Sequence, residues 1–198
     1  GVGYAGIAAR YRVFESYAQM HLVYGMRGGD ALDGSFYDAV IPNSYDPADF
    51  PVREDKDDYL LFIGRLVKRK GPHVAAEVAR RAGLPLVVAG QGGRQEGDRI
   101  VAEDVVVECP GVRYAGFADR ETRGLLMSRA RAVIVPTLYV EPFGGVAAEA
   151  QLCGTPVITT DWGAFTETVL HDRTGYRCRT LEQFTWAARN AHRLSPRA

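Results

Sequence analysis

A chain of 198 residues with 46% hydrophobic and 24% charged side chains can bury one good core and not two full domains. Its 24 Lys and Arg balance 24 Asp and Glu, so no electrostatic case exists for a nucleic-acid partner. The longest apolar runs, such as LPLVVAG at 84–90, are far too short for a transmembrane segment, and no signal-peptide pattern is visible. Cys109, Cys153 and Cys178 are odd in number and widely spaced, which reads as reduced thiols of a cytoplasmic protein rather than a disulfide frame or a zinc site.

The first six residues, Gly1-Val2-Gly3-Tyr4-Ala5-Gly6, spell GxGxxG. With no strand before them they read as loop residues and not as a dinucleotide site. Tyr11, Phe14, Ala18 and Leu22 lie at helical spacing and predict an amphipathic helix over about 5–24. The glycine- and aspartate-rich stretch 26–35 reads as a loop. Residues 36–47 predict a short strand ending at Pro42-Asn43 and a turn. Asp55-Lys56-Asp57 nominally matches a DxD metal motif, but it precedes a strand instead of following one. The run 53–58 therefore reads as a solvated linker, and no metal is expected.

A buried strand is predicted over 59–64, then the loop Gly64-Arg65-Leu66-Val67-Lys68-Arg69-Lys70-Gly71, then a helix over 72–82 with proline in its first turn. The four cations of that loop sit at the carboxyl end of a strand, where open α/β sheets bind ligands. Lys68 and Arg69 are expected to face solvent. A second strand over 84–90 ends in Gly90-Gln91-Gly92-Gly93, where glycine lets a ligand come close. Residues 94–108 are polar and strand-like only at 105–107. Asp119 predicts the cap of a helix reaching about Ser128, with Leu125, Leu126 and Met127 as core.

The chemistry concentrates in 136–160, PTLYVEPFGGVAAEAQLCGTPVITT. It opens as the apolar run AVIVP at 132–136, read as a strand, ends, and a loop with Tyr139 and Glu141, the pair Gly144-Gly145 and an Ala-rich helix follow one another. The first N–H groups of a helix have no partner within it and carry the positive end of its dipole, so that order makes a seat for phosphate. Glu141 before the seat and Glu149 about one turn inside the helix can aim two carboxylates at one ligand, and an ionised carboxylate suits a pair of vicinal hydroxyls. A fifth strand over 156–160, a helix starting within 161–167, a brief strand after Asp172 and a helix capped by Thr180 complete the chain. None of the four histidines forms a triad with a nucleophile. At least five alternations of strand and helix, with glycine and charge past the strand ends, give an α/β doubly wound parallel sheet.

Glu141-Pro142-Phe143-Gly144-Gly145-Val146-Ala147-Ala148-Glu149, with an apolar strand before it and Gly154-Thr155-Pro156-Val157-Ile158 after it, resembles the donor-binding motif of the family-4 retaining glycosyltransferases. The resemblance spans roughly 37–194. It implies the carboxy-terminal, Rossmann-like lobe of a GT-B fold over 39–198, with 1–38 as the remnant of an amino-terminal acceptor-binding lobe and the linker. Val40-Ile41-Pro42-Asn43 is similar to the segment that joins the two lobes in that family. The reaction implied is transfer of a sugar, with retention, from a nucleoside-diphosphate sugar to an acceptor hydroxyl, without metal or other cofactor.

In the pattern of that family Arg65 and Lys70 clamp the diphosphate together with the helix start at Gly144 and Gly145. Glu141 holds donor sugar hydroxyls and Glu149 the ribose diol; Glu141, Arg65 and Lys70 are the expected catalytic groups. Gly64, Gly92, Tyr139 and Phe143 are expected around the donor. Val112 and Arg113 belong to 111–117, which is similar to the strand whose main chain meets the base, and Glu167 is expected to be structural. A sugar-nucleotide-binding module without activity of its own and a GT-B-type epimerase remain as alternatives.

Overall fold

The structure, a computed structural model, describes residues 9–26 and 33–194; the opening GxGxxG lies outside them. Six parallel strands form the main sheet: β3 (Leu60–Ile63), β4 (Leu86–Ala89), β8 (Arg113–Tyr114), β9 (Ala132–Val135), β10 (Val157–Thr160) and β11 (Gly175–Cys178), in the order β11-β10-β9-β3-β4-β8. Four of them read LLFI, LVVA, AVIV and VITT, and each is buried along its whole length. Such runs mark a sheet covered on both faces.

Alternation along the strands separates two cores. Leu60 and Phe62 join α2 (Pro72–Ala82) and α6 (Leu181–Asn190) on one face; Leu61 and Ile63 join α3 (Arg120–Arg129) and α4 (Gly145–Leu152) on the other. Each fully buried Leu or Phe contributes about 1.5–3 kcal/mol over an exposed one. The helix predicted over 72–82 occupies those residues, with Pro72 in its first turn and Gly83 closing it in the left-handed region. Asp119 caps α3 by accepting from the Thr122 N–H at 2.9 Å. In α3, Met127 is fully buried, but Leu125 is 49% exposed and is not the core residue expected.

The chain winds from β3 outward through β4 to β8, then returns to the other side of β3 as β9 and winds outward again through β10 to β11. The order therefore reverses between β3 and β9, and the loops leaving these two neighbours flank the crevice that doubly wound sheets use for ligands. The arginine- and lysine-rich loop 64–71 leaves β3; the loop with Tyr139, Glu141 and Gly144 leaves β9.

Three segments differ from expectation. Among the described residues of the helix predicted over 5–24, Val13–Phe14 is a strand (β1), and only Tyr17–Gly25 is helical (α1), capped by Ser16 Oγ accepting from the Gln19 N–H at 3.0 Å. Tertiary partners override the helical spacing here. Phe14 is buried, β1 pairs in parallel with β2 (Ala39–Val40), and Arg12 forms an ion pair with Asp38 beside them. The β1–β2 ladder joins residues on the two sides of position 38.

The polar stretch 94–108 is a three-stranded antiparallel sheet of β5 (Gly93–Glu96), β6 (Arg99–Ala102) and β7 (Val106–Glu108). Only Ile100 and Val107 of these strands are fully buried, and they extend the core beneath α2.

The supposed solvated linker is a fastening point. Lys56 Nζ donates to Ser128 O at 2.7 Å, Thr155 Oγ1 at 2.8 Å and Cys153 O at 3.4 Å, while Asp57 and Asp58 pair with Arg129 and Arg131. Ser128 lies in the last turn of α3, and Cys153 caps the C-terminus of α4. One ammonium thus meets the negative ends of two helices.

Candidate functional site

The two loops at the reversal of strand order touch through charge. Lys70 Nζ lies 2.9 Å from Glu141 Oε2, and the Tyr139 hydroxyl donates to the same oxygen at 2.8 Å. Glu141 is 6% exposed, and a carboxylate so deep needs such partners. Its Oε1 accepts no bond among the described residues. Lys70 makes no other hydrogen bond or ion pair there, so two of its three donors remain open. Burial, then the charge of Glu141, push the Tyr139 phenol up, which keeps it a donor.

Arg69 is exposed, as expected, and its guanidinium lies 4.2 Å from the Tyr139 ring centroid, while the Lys70 ammonium is 4.9 Å from the same centroid. Arg65 is exposed and forms no ion pair among the described residues, and its charge also acts on Tyr139. Lys68 is exposed, as expected, and its backbone N–H donates to the Asp104 carboxylate at 3.1 Å. Gly64 follows β3, and Gly92 lies in the exposed turn after β4 with φ of 94°.

The backbone of the second loop is fixed from below. Leu138 N–H donates to Arg69 O at 2.9 Å, Trp162 Nε1 to Tyr139 O at 3.1 Å and Ala164 N–H to Glu141 O at 2.9 Å. Gly163 passes beneath Glu141 so closely that a Cβ there would stand 2.7 Å from the Glu141 nitrogen, and its φ is 64°. Only glycine meets both conditions without strain.

Gly144 then turns the chain into α4 with φ of 81°, against the Phe165 ring, and no side chain caps the helix. The helices α1, α3 and α6 all carry a side-chain cap. Ala147 and Ala148 N–H donate to Gly144 O, so the N–H groups of Gly145 and Val146 are left for another acceptor.

Glu149, one turn inside α4, is ion-paired through Oε2 to Arg123 of α3. The pair lines an open cleft of about 480 Å³ together with Tyr45, Phe117 and Asp119. Tyr45 stands over the start of α4, where a Cβ on Gly145 would fall 2.7 Å from the phenol oxygen. Phe143 is buried and stacks on Tyr45 with ring centroids 6.3 Å apart. Burial raises the Tyr45 pKa, and the charge of Glu149 raises it further.

The structure therefore brings Arg65, Lys70, Tyr139, Glu141, Phe143, Gly144, Gly145 and Glu149 to the starts of two adjacent loops and one helix. Val112 and Arg113 are not brought there. Val112 is buried, and the outer edge of its strand is taken: Gln95 Nε2 donates to Val112 O at 2.7 Å and Gln95 Oε1 accepts from Tyr114 N–H at 2.6 Å. The charge of Arg113 is felt by Tyr59, which precedes β3 at the opposite end of the sheet. Arg123 and Tyr45 went unrecognised because nothing local marks them: α3 carries three arginines, and Tyr45 lies in a turn.

Among the described residues no group of three His, Cys, Asp or Glu could hold a metal ion, and no helix is long and apolar enough to cross a membrane. Glu167, expected to be structural, accepts from the Tyr17 and Ala18 N–H groups at 3.0 and 2.7 Å and so caps α1 from 150 residues away.

The family model for glycosyl transferases group 1 matches residues 47–190. Glycogen synthase of Mycobacterium tuberculosis is 34% identical over 150 residues, which cover 70% of this chain and 35% of that protein. The chain spans about a third of the length of the curated relatives it matches.

Among solved structures, AviGT4, a glycosyltransferase involved in avilamycin A biosynthesis, superimposes with a TM-score of 0.63 at 27% identity, over 91% of this chain and 53% of that one. HepE of Anabaena in complex with UDP-glucose gives a TM-score of 0.65 at 18% identity, over 93% and 58% of the two chains, which is a likeness of fold.

Proposed function

Since this chain belongs to the glycosyl transferases of group 1 and has the fold of the C-terminal half of a GT-B enzyme, we propose that it forms the donor-binding part of a retaining glycosyltransferase. Residues 39–198 are the donor-binding domain, and 1–38 belong with an acceptor-binding lobe. The enzyme moves a sugar from a nucleoside diphosphate to an acceptor hydroxyl. One observation carries this reading: the cationic loop after β3 and the carboxylate loop after β9 meet where the strand order reverses, with Lys70 2.9 Å from Glu141 beside the uncapped start of α4.

The demanding step is departure of the diphosphate, which gathers negative charge as the glycosidic bond breaks. Arg65, the open donors of Lys70 and the N–H groups at Gly144 and Gly145 stabilise that charge from fixed positions. No metal enters the proposal, because these cations and N–H donors supply the charge. Glu141 presents Oε1 to hydroxyls of the donor sugar while Lys70 and Tyr139 hold its other oxygen. Glu149 takes the ribose, and Phe143 backs the Tyr45 ring at the edge of the cleft.

A thermal-shift panel of UDP, GDP, ADP and dTDP, with and without a chelator, tests the site. At least one nucleotide should raise Tm, and the chelator should leave the shift in place, since a ligand of the native state stabilises it by about 2.7 kcal/mol at one hundred times Kd. No shift from any of them overturns the proposal. Incubation with donor and acceptor should give turnover only after an acceptor-binding lobe is supplied.

A further inference from the structure

We propose that Arg123 is the positioning residue of Glu149, fixing its carboxylate so that one oxygen alone meets the ribose diol of the bound nucleotide. This rests on the nucleotide reading given above. The two glutamates of the site repeat one arrangement. At Glu141, Oε2 is held by Lys70 and Tyr139 and Oε1 is open; at Glu149, Oε2 is held by Arg123, and Oε1 accepts no bond among the described residues. The open oxygen of Glu149 lies toward the start of α4, 4.0 Å from where a Cβ on Gly145 would stand.

The other charged groups of the cleft are committed elsewhere. Asp119 caps α3, Asp46 accepts from Ala48 N–H and Arg120 pairs with Asp49. Arg123 is thus the cation that answers Glu149, whose side chain is 18% exposed. A planar guanidinium fixes the plane of a carboxylate where an ammonium fixes only its charge.

A purely structural tie between α3 and α4 explains the pair less well, because the two helices are already fastened at their far ends. Lys56 spans Ser128 O and Cys153 O, and Thr155 Oγ1 donates to Met127 O at 2.6 Å. The pair stands apart from that fastening, with Arg123 in the first turn of α3 and Glu149 midway along α4, on the cleft wall, where its geometry bears on the ligand. With one oxygen occupied, the remaining one accepts from both hydroxyls of a vicinal diol through its two lone pairs. Removing the 2′-hydroxyl therefore costs a full hydrogen bond to a charged group.

Calorimetric titration of the whole chain with UDP, GDP and ADP and their 2′-deoxy counterparts reads this directly. Wild type should favour the ribonucleotide about tenfold or more, the worth of one such bond. Glu149→Gln should bring the ratio near unity. Arg123→Ala should do the same, with no further loss in the double variant, and Arg123→Lys should restore part of it. Lys56→Met, which loosens the far ends of the same helices, should lower Tm and leave the ratio alone.

Retention of the wild-type ratio by both Arg123→Ala and Arg123→Lys overturns the proposal, as does a wild type that binds nucleotides without preferring ribose. Failure of every nucleotide to bind wild type overturns instead the reading on which the proposal rests, and the proposal with it.

Discussion

Two lysines are withdrawn from water at opposite ends of the same sheet, and their partners separate a fastening from a site. Lys56, at the end where strands begin, meets two backbone carbonyls and a threonine hydroxyl. Burial pushes its pKa down to about 8, and its acceptors are neutral parts of the frame. Lys70, at the end where strands finish, meets a single carboxylate, and that carboxylate keeps one oxygen open. A cation whose every donor is matched by fixed neutral acceptors holds the fold together. A cation matched by one acid, with donors to spare, can exchange partners with an anion. The helix starts tell the same story, since α3 is capped by its own Asp119 while α4 is not capped at all.

The sharpest break comes at Gly163. Gly163→Val places a branched side chain at a φ of 64° and within 3 Å of the Glu141 backbone. It should cost about 3 kcal/mol or more of stability and displace the second loop, read by chemical denaturation and by loss of nucleotide binding together.

Arg65→Ala and Lys70→Ala should each weaken nucleotide diphosphate binding by about 1.5–3 kcal/mol, the worth of a charge-assisted bond, with little change in Tm. Binding as tight as wild type in both would remove the clamp. Lys56→Met should reverse that pattern, costing about 1–3 kcal/mol of stability by stranding carbonyls of α3 and α4 while affinity holds. Tyr139→Phe should be milder, losing about 1 kcal/mol of sugar-nucleotide affinity as Glu141 gives up one of two partners.

A last effect is in pH. A lysine lowered to about 8 in the folded chain and near 10.4 when unfolded leaves the unfolded state with more bound protons between those values. Wild type should therefore gain stability relative to Lys56→Met as pH rises through that window. An unchanged difference between the two melting curves from pH 8 to 10 would show that the carbonyls hold the ammonium charged throughout.

Some of this was legible before any coordinates. The runs at 60–63, 86–89 and 132–135 are apolar throughout because both of their faces are covered, and Pro72 marks the start of a helix by local chemistry alone. The turn at Gly144 into α4 was equally plain, since strand, glycine and helix are consecutive in the chain. The stretch 93–108 was not, because its strands bury few side chains and show little apolar alternation. The segment before residue 26 misled for the opposite reason: its helical spacing is real, but Phe14 and Arg12 find better partners in β2 and Asp38.

Consecutive residues thus determined the elements, the doubly wound class and the Glu141-to-Glu149 motif, since strand burial, capping and glycine turns depend on neighbours a few positions away. Tertiary structure alone decided which partner each charge meets: Lys70 with Glu141 across 71 residues, Arg123 with Glu149 across 26, Lys56 with Thr155 across 99 and Glu167 with the N–H groups of α1 across 150. An ion pair depends on which strand ends become neighbours, and that is set by the order in which the whole sheet assembles.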